Sequence, residues 1–151
     1  MTAATRLVAV VLAVVGGTAQ AADAVVATAA WARATPPGLA TGAGYVTLAG
    51  GIHADRLVAA QLDGVARIEF HESSLDGGVA RMRQLPSVAI PARTTVAFSP
   101  AGLHLMLIGL TRPLVAGEQR TLVLELEHAG KVRVALEVRE ATASGPEAAV
   151  R

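Results

Sequence analysis

Residues 121–139 read TLVLELEHAGKVRVALEVR, and this stretch decides the fold class. Every second residue from Leu122 to Leu126 is leucine, and every second residue from Val132 to Val138 is again aliphatic. A period of two is that of a β-strand with one face on a core and the other in water. Ala129-Gly130 supplies the turn, so we predict two antiparallel strands joined as a hairpin.

Shorter segments of the same kind recur upstream, separated by glycine and proline turns, and Asp76-Gly77-Gly78 has the composition of a second hairpin loop. The predicted strands are Val25–Ala34, Tyr45–Leu48, Arg56–Gln61, Arg67–Glu72, Val79–Leu85, Thr94–Phe98 and Leu103–Ile108. Past the N-terminal region, the sequence contains no long run of 3.6-residue periodicity. Many short strands between Gly/Pro turns favour an all-β sandwich or small barrel.

The two ends of the chain differ from this pattern. Leu7 to Val15 is an apolar run too short to span a bilayer, and Ala19-Gln20-Ala21 fits a small-x-small cleavage site. We therefore predict a signal peptide over 1–21, one domain over 22–140 and export from the cytoplasm. No cysteine follows the cleavage site, so we expect no lipid anchor. The tail over 141–151 is small and polar, and we expect it to be disordered.

Composition excludes several classes of function. The 151 residues carry a formal net charge of +1, and no Lys/Arg cluster occurs, which argues against binding to nucleic acid or to an anionic membrane. The absence of cysteine rules out thiolate metal sites, cysteine nucleophiles and blue-copper electron transfer. Ser73-Ser74 follows His71-Glu72, but adjacency in a strand does not build a nucleophile and base. We therefore expect that the protein is not an enzyme.

Two histidines and two methionines are the candidate chemical groups: His71, Met82, His104 and Met106. His104 and Met106 are two residues apart in a predicted strand, so their side chains share a face. His71 shares a strand face with Glu69. Met82 follows across the second hairpin loop, and its two arginine neighbours favour a position near the surface.

Each of these four residues also has an ordinary explanation. A single histidine on a strand is usually a surface or hydrogen-bonded residue, and a single methionine usually fills a core. Together, imidazole and thioether form a neutral, soft ligand set that suits Cu(I) and not Mg, Ca or Mn. Thioether is also a poor ligand for zinc. The spacing alone leaves open whether a metal site exists.

The surroundings of these residues match a known pattern. His71 lies in Glu69-Phe70-His71-Glu72, Met82 ends Gly77-Gly78-Val79-Ala80-Arg81-Met82, and the last pair lies in Gly102-Leu103-His104-Leu105-Met106-Leu107. Further matches are Trp31-Ala32-Arg33-Ala34 with Pro36, Tyr45, Asp55-Arg56-Leu57, Gly109-Leu110 and Pro113-Leu114. From Trp31 to Val138, the chain resembles the PCu(A)C family of periplasmic copper chaperones.

The resemblance implies a cupredoxin-like Greek-key β-sandwich or barrel that binds Cu(I) through His71, Met82, His104 and Met106. It also implies a periplasmic, monomeric carrier that delivers copper to the binuclear centre of cytochrome c oxidase subunit II. Some relatives bind a second copper on a His/Met-rich tail, and the residues after Glu140 contain neither. The alternatives are copper storage or tolerance and, from a different class, a metal-free structural β-sandwich.

Overall fold

The computed structural model describes residues 24–145, which form ten β-strands and no helix. The strands are β1 Val26–Arg33, β2 Thr41–Ala49, β3 Asp55–Leu62, β4 Val65–Asp76, β5 Val79–Leu85, β6 Val88–Ile90, β7 Thr95–Ala97, β8 Leu103–Leu110, β9 Gln119–Leu126 and β10 Gly130–Arg139. The predicted all-β class is confirmed. The predicted signal peptide, 1–21, lies outside the described residues. Within 24–145 no helix is long and apolar enough to cross a membrane.

The strands form one hydrogen-bonded sheet that encloses a single core. Their order is β5-β4-β8-β2-β1-β10-β9-β3-β6, with β7 paired to β2. The first strand pairs with the last in parallel, through Ala30–Leu136 to Arg33–Arg139, whereas its other neighbour, β2, is antiparallel. Leucines from both halves of this path, Leu105 on β8 and Leu124 on β9, have no exposed surface and belong to one apolar cluster.

The hairpin from which the fold class was predicted is β9 and β10. Leu122, Leu124 and Leu126 are buried, as are Leu136 and Val138 on the facing strand. The intervening Arg133 and Glu137 are exposed. Alternation in the sequence therefore corresponds to alternation between core and solvent.

Two strands extend well beyond their predicted bounds, and one strand was not predicted. β2 begins at Thr41 instead of Tyr45, because Gly42, Ala43 and Gly44 pair with β8 although they carry no apolar pattern. β4 continues through Ser73-Ser74 to Asp76, because this polar stretch pairs along its whole length with β5. β6 was not predicted: it has only three residues, which pair with β3.

The first five residues of the 141–151 segment, whose disorder stays a prediction, contact the end of the sheet. Arg33 donates a hydrogen bond from Nε to the carbonyl oxygen of Ala143 at 2.9 Å. Arg139 donates another to the carbonyl oxygen of Gly145 at 3.1 Å. These two bonds, which could not be read from the small, polar composition, hold residues 141–145 against the end of the sheet. Residues 146–151 lie outside the described part.

Candidate metal centre

Strand pairing brings the two candidate histidines together. β4 and β8 are antiparallel neighbours, and in their register His71 lies directly opposite His104 while Glu69 lies opposite Met106. Directly opposed residues of an antiparallel pair project to the same side of the sheet. His71, His104 and Met106 therefore share one face.

Met82 reaches the same face from the edge strand β5. It lies opposite Ser73 of β4, two residues from His71 along that strand. The β4–β5 connection turns through Gly77 and Gly78, whose φ angles are 57° and 82°, a region that glycine adopts without a Cβ penalty. The structure thus places all four sequence-predicted residues on one face of three adjacent strands, β5, β4 and β8.

The two imidazoles are close and mostly buried. Their ring centroids are 5.7 Å apart, with 48° between the ring planes. His104 is 5% exposed, and the side chain of His71 is 15% exposed. Leu105 and Leu107, on the other face of β8, are fully buried. The core side of β8 therefore fixes the backbone from which His104 and Met106 project.

His71 has one nitrogen bonded and one without a partner. Its Nε2 lies 3.0 Å from Oε2 of Glu69, while Oε1 of Glu69 accepts a hydrogen bond from Nε of Arg67 at 2.9 Å. Hydrogen bonds from Arg67 and then from His71 hold the pKa of Glu69 below its usual value, so this side chain is a carboxylate at neutral pH. Nδ1 of His71 is buried and has no hydrogen-bond partner among residues 24–145.

His104 is held through Nδ1, whereas His71 is held through Nε2. Its Nδ1 lies 3.0 Å from the carbonyl oxygen of Gly102. A carbonyl oxygen can only accept, so the hydrogen is on Nδ1 and Nε2 keeps a free lone pair. The nitrogen of His104 that can bind a ligand is therefore Nε2, the ring nitrogen farther from the backbone.

An open pocket of about 340 Å³ adjoins His104, Met82 and Met106, whereas His71 is not among the residues that line it. Its lining residues are Thr41, Gly42, Ala43, Tyr45, Ser73, Met82, Pro100, His104 and Met106. Met82 is 57% exposed, which confirms its predicted position near the surface. Tyr45 forms part of the wall, and its ring packs on Trp31 at a centroid distance of 4.3 Å. Burial raises the pKa of Tyr45, so the phenol stays protonated.

The other two histidines lie elsewhere. His53 and His128 are both exposed and line a separate pocket with Asp55. The Nδ1 atom of His128 is 3.3 Å from Asp55, whose carboxylate also accepts the backbone N–H groups of His128 and Ala129. Asp55 thus holds the β9–β10 turn. Within residues 24–145, no three His, Asp or Glu side chains cluster in a way that could hold a metal ion.

Sequence reasoning missed the groups that orient the histidines. Glu69 was assigned only to the same strand face as His71, although a carboxylate two residues away on one face is a detectable signal for such a contact. The carbonyl of Gly102 leaves no signal in the sequence, because every residue has one. Tyr45 was noted as a family match, and its place in the pocket wall depends on the β2–β8 pairing.

Known proteins resemble this chain in sequence and in fold. The family model described as "Putative lipoprotein LpqE-like" matches residues 25–138. The putative lipoprotein Lxx21020 of Leifsonia xyli subsp. xyli (strain CTCB07) is 31% identical over 120 residues, which is 79% of this chain and 72% of that protein. The present sequence contains no cysteine.

Solved structures agree with the fold. The Cu(I)-bound solution structure of DR1885 from Deinococcus radiodurans is 31% identical, with a TM-score of 0.66, covering 83% of this chain and 85% of that one. The copper-bound PCuAC domain from PmoF2 has a TM-score of 0.66 at 20% identity, covering 77% and 92% of the two chains. The predicted cupredoxin-like β fold is confirmed. The chain shares its fold with the PCuAC domain from PmoF2, and it belongs to the LpqE-like family.

Proposed function

We propose that this protein is a copper chaperone that binds one Cu(I) ion through His71, Met82, His104 and Met106. The observation that carries the proposal is the convergence of these four side chains on one face of β5, β4 and β8. The relative DR1885, which is 31% identical, has been solved with Cu(I) bound. That fact supports the choice of metal.

The chemistry of the donors fits this ion. Two imidazole nitrogens and two thioether sulfurs form a neutral, soft set, and such ligands favour Cu(I) over oxygen-seeking cations. Neutral ligands also leave no unpaired charge of their own in this mostly buried site when it holds no ion. Methionine, unlike cysteine, cannot form a disulfide in an oxidising compartment.

The histidine geometry also fits a shared metal. A metal–imidazole bond of about 2 Å puts an ion roughly 3 Å from each ring centroid, so centroids 5.7 Å apart can be bridged by one ion. A buried polar nitrogen without a partner is costly, and Nδ1 of His71 is such an atom among the described residues. A bound metal would satisfy it.

The proposed ligands differ in exposure, and this difference supports a role as a copper carrier. His104 is buried, whereas Met82 is more than half exposed on an edge strand. An incoming protein can therefore replace the thioether of Met82 first, while the histidines still hold the ion. We propose that the chain acts as a monomer in the periplasm and delivers Cu(I) to the binuclear copper centre of cytochrome c oxidase subunit II.

Titration with Cu(I) tests the ligand set. In an anaerobic competition against a chromophoric Cu(I) chelator, we expect one ion per chain and a large loss of affinity in the Met82→Ala/Met106→Ala double variant. His53→Ala is the matched control, because His53 is exposed and outside the site. Unchanged affinity in the double variant would remove the methionines from the site. Absence of Cu(I) binding by the wild type would favour a metal-free structural β-sandwich.

Delivery is tested in cells. We expect a deletion strain to lose cytochrome c oxidase activity at low copper and to regain it with the wild-type gene but not with the double variant. Normal oxidase activity combined with copper sensitivity would instead assign the protein to copper storage or tolerance. Copper analysis of the protein recovered from a periplasmic fraction tests the location.

A further inference from the structure

The two candidate histidines are held by different atoms. Nε2 of His71 is 3.0 Å from Oε2 of Glu69, whereas Nδ1 of His104 is 3.0 Å from the carbonyl oxygen of Gly102. The remaining nitrogens are Nδ1 of His71, which is buried and unpartnered among residues 24–145, and Nε2 of His104. The nitrogens that these two contacts leave over are therefore chemically different in the two rings.

The partners of Glu69 decide where the hydrogen of His71 lies. One carboxylate oxygen accepts from Arg67 at 2.9 Å, and the other faces His71. A carboxylate has no hydrogen to give, so the hydrogen between it and the imidazole belongs to Nε2. In a neutral imidazole the second nitrogen then carries a lone pair. Arg67 fixes the carboxylate from its far side and keeps it turned towards His71.

We propose that Glu69 is a positioning residue of this site, which holds His71 in the tautomer with its hydrogen on Nε2 and so presents Nδ1 as the donor atom. The inference rests on the proposed copper function for its purpose, whereas the contacts that carry it join only the protein groups of Arg67, Glu69 and His71. Its consequence is a site with mixed nitrogen donors, Nδ1 from His71 and Nε2 from His104.

This asymmetry suits the pairing of the two strands. His71 and His104 are directly opposed on neighbouring strands, so their Cβ atoms are only about 5 Å apart. One ion can be held between rings that start so close by the near nitrogen of one ring and the far nitrogen of the other, and Glu69 selects the ring that uses its near nitrogen.

Nuclear magnetic resonance of the metal-free protein tests the tautomers. Long-range ¹H–¹⁵N correlations of protein labelled with ¹⁵N-histidine, recorded where both rings are neutral, distinguish protonated from bare ring nitrogens. We expect a bare Nδ1 in His71 and a bare Nε2 in His104. A His71 ring with its hydrogen on Nδ1 would overturn the proposal.

Variants separate positioning from mere folding. Glu69→Ala is expected to give mixed His71 tautomers and about 10- to 100-fold weaker Cu(I) binding. Glu69→Gln keeps the size but has one oxygen for two donors, so a smaller change in the same direction is expected. The matched control is Glu72→Ala, which removes a carboxylate of the same strand that pairs with Arg83. This variant should change neither the His71 tautomers nor the affinity for Cu(I).

Failure of this inference can be distinguished from failure of the proposed copper function. Wild-type protein that lacks Cu(I) affinity would overturn the copper function, whatever the tautomers. Wild-type Cu(I) affinity in Glu69→Ala with mixed His71 tautomers would overturn the positioning role alone. Unchanged His71 signals in both Glu69 variants would show that the contact does not select the tautomer, and would equally overturn the inference.

Discussion

At the scale of single residues, Ala29 shows how one strained backbone position serves the pocket. Its φ is 48°, and it lies where the register of β1 against β2 shifts by one residue between Thr28 and Trp31. A bulge of this kind re-aims the side chains that follow it. Here it sets Trp31 opposite Tyr45, whose ring forms part of the pocket wall.

Replacing Ala29 by glycine is expected to stabilise the protein. A Cβ in the left-handed region costs about 1–2 kcal/mol, whereas glycine in a strand costs about 0.5–1 kcal/mol in entropy. Ala29→Gly should therefore raise the free energy of unfolding by about 0.5–1 kcal/mol in urea denaturation. Ala135→Gly, at an exposed position of β10 with ordinary φ, is the control and should lower it. Equal losses in both variants would refute the strain at Ala29.

At the scale of the element, β8 is the strand on which the site depends. It carries His104 and Met106, and it lies between β4 and β2 in the sheet. Near its end, Gly109 has a φ of 73°, and a Cβ there would come within 2.5 Å of the Cβ of Ala66 on β4. Glycine thus allows β8 to stay against β4 in the register that opposes the two histidines.

A side chain at Gly109 should loosen this strand pair. Gly109→Ala meets both the backbone penalty and the contact with Ala66, and overpacking of this kind costs about 1–3 kcal/mol. Gly38→Ala is the matched control, because Gly38 has a φ of 84° but open space around it. We expect Gly109→Ala to lose at least about 1 kcal/mol more stability than Gly38→Ala. The same loss in both variants would mean that only the backbone angle matters.

At the scale of the whole molecule, one ion-pair group ties together the loops at an end of the sheet. The side chain of Arg120 is 3% exposed and bonds to Glu118 and to the carbonyl oxygens of Asp63 and Pro113. Arg112 also bonds to Glu118 at 2.6 Å. Mainly through the Arg120 contact, the pKa of Glu118 falls from 4.5 to about 2.

This shift predicts a loss of stability in acid. A carboxyl whose pKa is lower in the folded state stabilises the fold above its unfolded value, and that contribution disappears as the pH falls from about 4.5 to about 2. Glu118→Gln should lower stability at pH 7 by roughly 2 kcal/mol and flatten the pH dependence in that interval. Glu127→Gln, at an exposed carboxylate paired with Arg56, should do little. An acid profile of Glu118→Gln that is parallel to the wild type would contradict the assignment.

Much of the fold could be predicted from the sequence because burial and alternation coincide, as in β9 and β10. The shared face of His104 and Met106 followed from their spacing. The opposition of His71 to His104 could not be predicted from pattern alone, because pairing and register depend on the whole sheet. Polar or very short strands, such as the Ser73-Ser74 stretch and β6, carry too few apolar residues to be recognised. The proposed tautomer of His71 depends on its contact with Glu69. Strand alternation predicts that these two side chains share a face, but not that they form a hydrogen bond.

The parallel seam between β1 and β10 has a consequence for how the protein folds. Residues 26–33 cannot gain their second neighbouring strand until residues 130–139, at the other end of the domain, have folded back onto them. The folding chain therefore remains open along one side until its last strand pairs, and closure across so many residues makes for slow folding. A truncation that removes β10 would leave two unpaired strand edges at the centre of the sheet, and such a product should aggregate instead of folding.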